Sequence, residues 1–208
     1  MTEEPARRRY DSLRRTAQAQ QTSAEIARAA RTLFVAKGWA ATTVRDVARE
    51  AGVSVPTVYA AYGNKNGLTW ALADAADLSA DLSQLLAELE AAPEPSRQLA
   101  AMVAYDRRLF ERAGEVIVLL REAGRTEPEL AQSYQDARAR ADEAHHQVLS
   151  AWPPGTLRPD IDLQTAIDIY AAICNIDVYS ELTIERGWPP ARVEKWWAAT
   201  LTRELLET

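Results

Sequence analysis

The sequence predicts an all-α chain, and three observations predict it. Apolar residues recur at three- and four-residue spacing along most of the 208 residues. Proline, glycine and capping side chains punctuate those runs where helices start and stop. No stretch alternates apolar and polar residues with the two-residue period of a half-buried strand. The organisation this implies is a basic arm at 1–21, a small three-helix unit at 22–66 and a helical body at 67–208.

Composition narrows the function classes. Apolar residues make up 47% of the chain, enough for a sizeable core. Cys174 is the only cysteine, which excludes an intramolecular disulfide and a cysteine-based zinc site. No apolar run approaches the roughly 18 residues of a membrane span. The stretch Met1 to Arg15 is charged and lacks the apolar centre of a secretory leader. These features lead us to expect a cytoplasmic protein with no membrane partner. The net charge of −6 hides a division: residues 1–66 carry 11 Lys+Arg and 6 Asp+Glu, a net of +5, and the remainder a net of −11. Only the basic first third suits a phosphate backbone.

The arm contains Arg7-Arg8-Arg9 and Arg14-Arg15. It reads equally as an extension reaching DNA backbone or minor groove and as a solvated tail, helical from Ser12 onward. Thr22-x-x-Glu25 fits a capping box ahead of Ile26, Ala30, Leu33 and Phe34, a packing helix that ends at Gly38. Thr43-x-x-Asp46 resembles a second box. Val44, Val47, Ala48 and Ala51 then form one short apolar face closed by Gly52. Ser54 can cap a third helix, which tolerates Pro56 in its first turn. Val58 and Tyr62 face its core, leaving Val55, Pro56, Thr57, Tyr59 and Ala60 outward. Two short helices joined by so tight a turn have the shape of a helix-turn-helix, whose second helix enters the major groove.

These residues carry a specific resemblance. Ala30-x-x-Leu33-Phe34, Gly38-Trp39, Thr42-Thr43-Val44-Arg45-Asp46-Val47-Ala48, Ala51-Gly52-Val53-Ser54, Thr57-Val58-Tyr59 and Gly63-x-Lys65 follow one another at the spacing of the DNA-binding domain of TetR-type bacterial transcriptional regulators. The resemblance is sharp from Ile26 through Lys65 and architectural elsewhere. It implies that Thr43, Arg45, Thr57, Tyr59 and Lys65 touch double-stranded operator DNA. Tyr59 and Lys65 would hold phosphate, and Arg45 and Thr57 would reach a base or phosphate. Ser54, Val55 and Pro56, which open the reading helix, complete the expected DNA face. The family often places histidine and phenylalanine where Ala61 and Tyr62 stand here, so one phosphate contact is lost. With few hydrogen-bonding groups on the reading face, Arg45, methyl contacts and DNA shape are expected to carry selectivity.

Asn64 can cap a fourth helix, through Leu68, Leu72, Ala75, Leu82, Leu86 and Leu89 to Pro93, linking head to body. The body continues with helices at Arg97 to Ala113, Glu115 to Ala123, Thr126 to about Trp152, Asp162 to about Glu185, and from Pro189-Pro190 to about Leu206. The fourth of these is apolar on two sides. Leu163, Ile167, Tyr170, Cys174, Val178 and Leu182 form one stripe; Ile169, Ile173, Ile176 and Ile184 form another. One side can pack inward, and the other needs a partner. The last helix adds Val193, Trp197, Leu201 and Leu205 with Trp196 beside them. The family resemblance implies a homodimer through the last two helices, and Ile169, Ile176, Val193, Trp196, Trp197 and Leu201 are the expected interface. Val178-Tyr179-x-x-Leu182 and Glu185-Arg186-Gly187-Trp188 also resemble one subgroup of the family.

The resemblance further implies a small-molecule effector pocket in the body. Trp70, Tyr105, Arg121, Tyr134, His146, Asn175 and Asp177 are polar or aromatic residues among apolar ones and could line it. Residues such as Trp70 and Tyr105 are more often core and Arg121 more often a salt-bridge partner, while a dimer-interface hydrogen bond would explain Asn175 and Asp177 as well as a ligand contact. Glu143-x-x-His146 is half of a helical di-metal signature, and the second half is absent. No phosphate-binding glycine loop or nucleophile elbow occurs. We therefore expect no catalytic residue, cofactor or metal, and a DNA-binding regulator that acts as a repressor released by its effector. The competing class is a helical protein-interaction or metal-carboxylate protein without DNA binding.

Overall fold

The computed structural model describes residues 4–78 and 82–207, with side chains described from Thr16 to Ala73 and from Leu82 to Glu207. The order is α1 (Glu4–Lys37), α2 (Val44–Glu50), α3 (Val55–Tyr62), α4 (Lys65–Leu78), α5 (Leu82–Ala91), α6 (Pro95–Gly124), α7 (Pro128–Ser150), α8 (Leu163–Ile173), α9 (Ile176–Ser180) with a π-helical turn at Glu181–Glu185, and α10 (Pro190–Leu205). Among the described residues the one β-type pairing is an isolated bridge between Leu157 and Leu206. No helix among them is long and apolar enough to cross a membrane. The chain divides into two compact units, Met1–Leu72 and Ala73–Thr208.

In the first unit, Ile26, Ala30, Leu33 and Phe34 of α1 are buried together with Val47 and Ala48 of α2, Val58 of α3 and Leu68 of α4. The spacing of these residues in the sequence is thus the spacing of a core. Thr22 does not open a helix, because α1 already runs through it from Glu4. Residues 4–21 are rich in alanine, arginine and glutamine, contain no glycine, and place their one proline in the first turn, where its missing N–H costs nothing. The arm's backbone is therefore helical. The arginine side chains at 7–9, 14 and 15 lie outside the described residues.

In the second unit α6 is the spine, packed against α5, α7, α9 and α10. Leu99, Met102 and Val103 of α6 join Leu149, Trp152, Ile167, Tyr170, Tyr179, Val193, Trp197, Leu201 and Leu205 in one core. The segment after Pro153 pins the end of α10: Arg158 N donates to Leu205 O at 2.9 Å and Glu207 N to Thr156 O at 3.1 Å.

The helix expected from Leu68 through Leu89 is described as α4 and α5 on either side of residues 79–81, which lie outside the described residues, and Leu82 and Leu86 are exposed. Three expectations about the body are corrected. α6 passes straight through Gly114 instead of breaking there. Thr126 does not cap α7; Pro128 begins it, and the Thr126 hydroxyl donates to Ala123 O. The helix capped by Asp162 ends at Ile173, and Asn175 starts a new one: its Oδ1 accepts from Asp177 N and Val178 N, each at 3.0 Å.

Gly114 is a packing residue. A Cβ built on it lies 2.7 Å from Ile176 Cδ1, so its hydrogen lets α9 approach α6. Gly114→Val is expected to destabilise the body by about 1–3 kcal/mol through overpacking. The measurement is the urea midpoint at unchanged slope; an unmoved midpoint would mean that Ile176 rotates aside freely.

Candidate functional site

The helix-turn-helix is built from local hydrogen bonds that its sequence dictates. Thr43 caps α2: Asp46 N donates to Thr43 Oγ1 at 3.1 Å, and Asp46 Oδ2 accepts from Thr43 N at 3.1 Å and from Thr43 Oγ1 at 2.6 Å. Those hydroxyl and backbone donors hold the Asp46 carboxyl below the usual carboxylate range, and Arg49 pairs with it at 2.6 Å. Gly52 makes the turn at φ 66, in the left-handed region that glycine alone enters cheaply, while Val53 N donates to Ala48 O at 2.9 Å. Ser54 then caps α3, accepting from Thr57 N at 3.3 Å, with the Ser54 and Thr57 hydroxyls 2.8 Å apart.

This scaffold places the expected DNA residues as follows. Thr43, Arg45, Ser54, Pro56 and Tyr59 are exposed, and Val55, Thr57 and Lys65 are half-buried. Tyr59 keeps 49% of its surface open although it is aromatic, which its neighbour Val58, at 2%, does not. Apart from Thr57 and Tyr59, the outward residues of α3 are Val55, Pro56, Ala60 and Ala61, a face poor in hydrogen-bonding groups.

Two supports were not foreseen. Tyr62 donates its hydroxyl to Ser23 O at 2.8 Å, so the reading helix is bonded to α1. Tyr62→Phe is expected to lower stability by about 1 kcal/mol, the net worth of one hydrogen bond, seen as a lower melting midpoint; an unchanged midpoint would deny the tie any role. Lys65 sits with its ammonium 3.6 Å above the Trp39 ring, Trp39 Nε1 donates to Thr69 Oγ1 at 3.0 Å, and Thr69 Oγ1 donates to Lys65 O at 2.9 Å. This closed loop positions the lysine at the start of α4. Gly38-Trp39 was visible in the sequence; its partnership with Thr69, 30 residues on, was not.

The expected effector residues separate. Arg121 and Asp177 meet, with Arg121 Nη1 donating to both carboxylate oxygens at 2.7 and 2.6 Å, and these bonds to Asp177 raise the guanidinium pKa. Asn175 spends its side chain on the α9 cap and on Ala172 O, to which Nδ2 donates at 2.7 Å. Tyr105 is partly buried, His146 is exposed, and Trp70 falls in the first unit, away in the chain from the rest. The inward histidine is His145, whose ring packs 4.3 Å from that of Tyr170, and burial pushes its pKa down to about 4. Tyr170 in turn donates its hydroxyl to Asp106 Oδ2 at 2.8 Å, and burial raises the Asp106 carboxyl to about 7. Among the described residues no cluster of His, Cys, Asp and Glu could hold a metal.

The expected interface is corrected in part. Val193, Trp197 and Leu201 are fully buried and Ile176 nearly so, all inside the chain's own core. The four-residue stripe of α10 faces α6 and α8 rather than a second copy. Ile169 is half-buried, and Trp196 is exposed, meeting Trp188 edge-on at 6.2 Å. Ile184, 79% exposed, was placed in the partner-seeking stripe but not in the interface.

Comparison with known proteins agrees with this geometry. Residues 26–79 match the family model described as bacterial regulatory proteins, tetR family. No curated protein matches the chain. Among solved structures, a transcriptional regulator from Saccharomonospora viridis in complex with choline is 18% identical, with 91% of this chain and 100% of that one aligned at a TM-score of 0.73. NalD of Pseudomonas aeruginosa, the secondary repressor of the MexAB-OprM multidrug efflux pump, is 22% identical over 92% of this chain and 98% of its own, at 0.72. The SmeT–triclosan complex is 19% identical over 90% and 92%, at 0.70. At these identities the likeness establishes the fold.

Proposed function

We propose that this chain, which has a tetR-type DNA-binding head and the fold of TetR-type regulators throughout, is a homodimeric repressor that leaves its operator when a small molecule binds its body. The observation that carries the proposal is the capped helix-turn-helix with Arg45 and Tyr59 exposed beside the anchored Lys65. One such head reads too little DNA for specificity. Two heads about 34–36 Å apart meet successive major grooves and read a palindrome. The exposed Ile184 and Trp196, with half-buried Ile169, supply apolar surface for a second copy. The choline and triclosan bound by structural neighbours, and the repressor role of NalD, support an effector-released repressor.

Release works by population shift. An effector that binds one arrangement of the two heads more tightly than the other depletes the DNA-competent state in proportion to that difference. The test is selection of bound fragments from genomic DNA by the purified protein, in the cytoplasmic salt range. Enrichment of one palindromic site is expected, with affinity that falls steeply as salt rises. Failure to enrich any fragment, with no salt-dependent binding, would sink the proposal in favour of a protein-interaction role.

A further inference from the structure

A groove between α5 and α6 ends at a buried cation that the fold leaves half-answered. Arg108 on α6 is buried, with 10% of its side chain exposed. Its Nε and Nη2 are shut off from solvent and have no hydrogen-bond partner. Glu88 on α5 pairs with it, but Glu88 Oε2 stops 3.7 Å from Nη2. That separation gives charge attraction without a hydrogen bond. Buried N–H groups without acceptors are rare in a native core and need an explanation. The neighbouring arginines are answered. Arg107 pairs with Glu111 and with Glu194, the latter at 2.8 Å, and Arg97 pairs with Glu94 at 2.6 Å.

The two unanswered nitrogens share one edge of the guanidinium. Nε–H and one Nη2–H point the same way, at the spacing that takes both oxygens of a carboxylate. Glu88, which stands over this edge, also lines the groove. The groove encloses about 420 Å³, and its floor is alanine: Ala91 and Ala92 of α5 with Ala100, Ala101 and Ala104 of α6. Arg108 continues the α6 row one turn beyond Ala104. Methyl side chains keep both helix surfaces low, which suits a slim apolar chain. From Ala100 to Arg108 is about 12 Å of helix, the reach of an extended chain of roughly eight to ten carbons.

We propose that the α5–α6 groove is a binding site for a linear aliphatic carboxylate, which turns Glu88 aside and pairs side-on with Arg108 Nε and Nη2 while its chain lies on the alanine floor. As an effector site it rests on the reading above and gives that reading a ligand class. Glu88 holds the anion's place in the empty groove. Its carboxylate answers the charge of Arg108 but not its N–H groups, and its side chain is partly exposed, so it can turn out to water. Glu88 and the ligand thus compete for one cation. Removing Glu88 strengthens binding, and removing Arg108 ends the preference for an anion.

The experiment is calorimetric titration of the full-length protein with octanoate and with octanamide, its neutral isostere, below the micellar range. Octanoate is expected to saturate one site per chain and to bind about tenfold tighter than octanamide or better, the margin of a charge-assisted pair. Glu88→Gln is expected to bind octanoate severalfold tighter and octanamide as before, a gain that a merely structural ion pair would not give. Arg108→Met, which puts an apolar residue of similar length in place of the buried cation, is expected to bind the two ligands alike. Ala104→Leu fills the floor and is expected to lose both. Failure of the wild type to bind octanoate, equal affinity for the two ligands, or no gain in Glu88→Gln overturns the site. Those readouts decide the matter even if Arg108→Met fails to fold. A parallel operator-release assay separates the two readings. Octanoate binding that leaves the operator complex intact keeps the site and overturns its role in release. Specific operator binding by a wild type with no preference for octanoate overturns the site and keeps the repressor.

Discussion

Trp197→Ala is expected to destabilise the body by about 3–5 kcal/mol, the range for emptying a large aromatic from a packed core. The indole is fully buried and touches two other rings, Phe110 and Tyr179, each with its centroid 6.1 Å away. Removing it deletes transfer energy and leaves a cavity that the facing α6, held by packing on four other helices, cannot collapse to fill. Against a typical total stability of about 5–15 kcal/mol, the loss leaves the body marginal. The indole N–H has no hydrogen-bond partner, so Trp197→Phe gives up packing alone and is expected to cost much less than the alanine. Urea unfolding of the two variants tests both parts. A loss under about 1 kcal/mol for the alanine would place Trp197 at a surface and revive it as an interface residue.

That burial also shows what could be read in advance. The helix-turn-helix was legible because each of its joints is a short-range chemical fact: Thr43 and Asp46 three apart, Gly52 directly after the apolar face, Ser54 three before Thr57. The all-α class was legible for the same reason. Three things in the body were not. Gly114 read as a break because glycine weakens helices, but the cost is only about 1 kcal/mol and a neighbouring helix offsets it by approaching closely. Asn175 read as a buried polar group seeking a partner, when its side chain bonds to backbone two and three residues on and ends the helix there. Asp106, in the run Tyr105-Asp106-Arg107-Arg108, carried no local signal, because the hydrogen-bond partner of its carboxyl is 64 residues away. The periodicity of α10 correctly marked a buried stripe, but it carries no label saying whether a stripe is buried by its own chain or by another. The same blindness swapped His146 for His145: adjacent helical residues point in different directions, and only packing against Tyr170 selects one.

Arg45→Ala is expected to erase most of the preference for operator over random DNA while leaving the fold intact. Arg45 is exposed in the first turn of α2 and makes no ion pair among the described residues, whereas Arg49 on the same helix is held by Asp46. The face of α3 offers valine, proline and alanine methyls, which distinguish thymine from other bases but cannot reject a wrong base by an unpaired hydrogen bond. That leaves the arginine as the strongest candidate for direct base readout. One bidentate contact to guanine discriminates by about 1–3 kcal/mol, and a dimer makes it twice. The specificity ratio is therefore expected to fall by roughly 30-fold to 10⁴-fold, with non-specific binding and its salt slope almost unchanged. Lys65→Ala supplies the contrast, because a phosphate anchor carries no sequence information. It is expected to weaken operator and random DNA together and to flatten the salt slope by about 0.9 per copy. Titrating both variants against operator and random duplexes at several salt concentrations separates the roles. If Arg45→Ala lowers both affinities equally, Arg45 binds backbone, and selectivity must come from the shape of the DNA and the methyl contacts of α3.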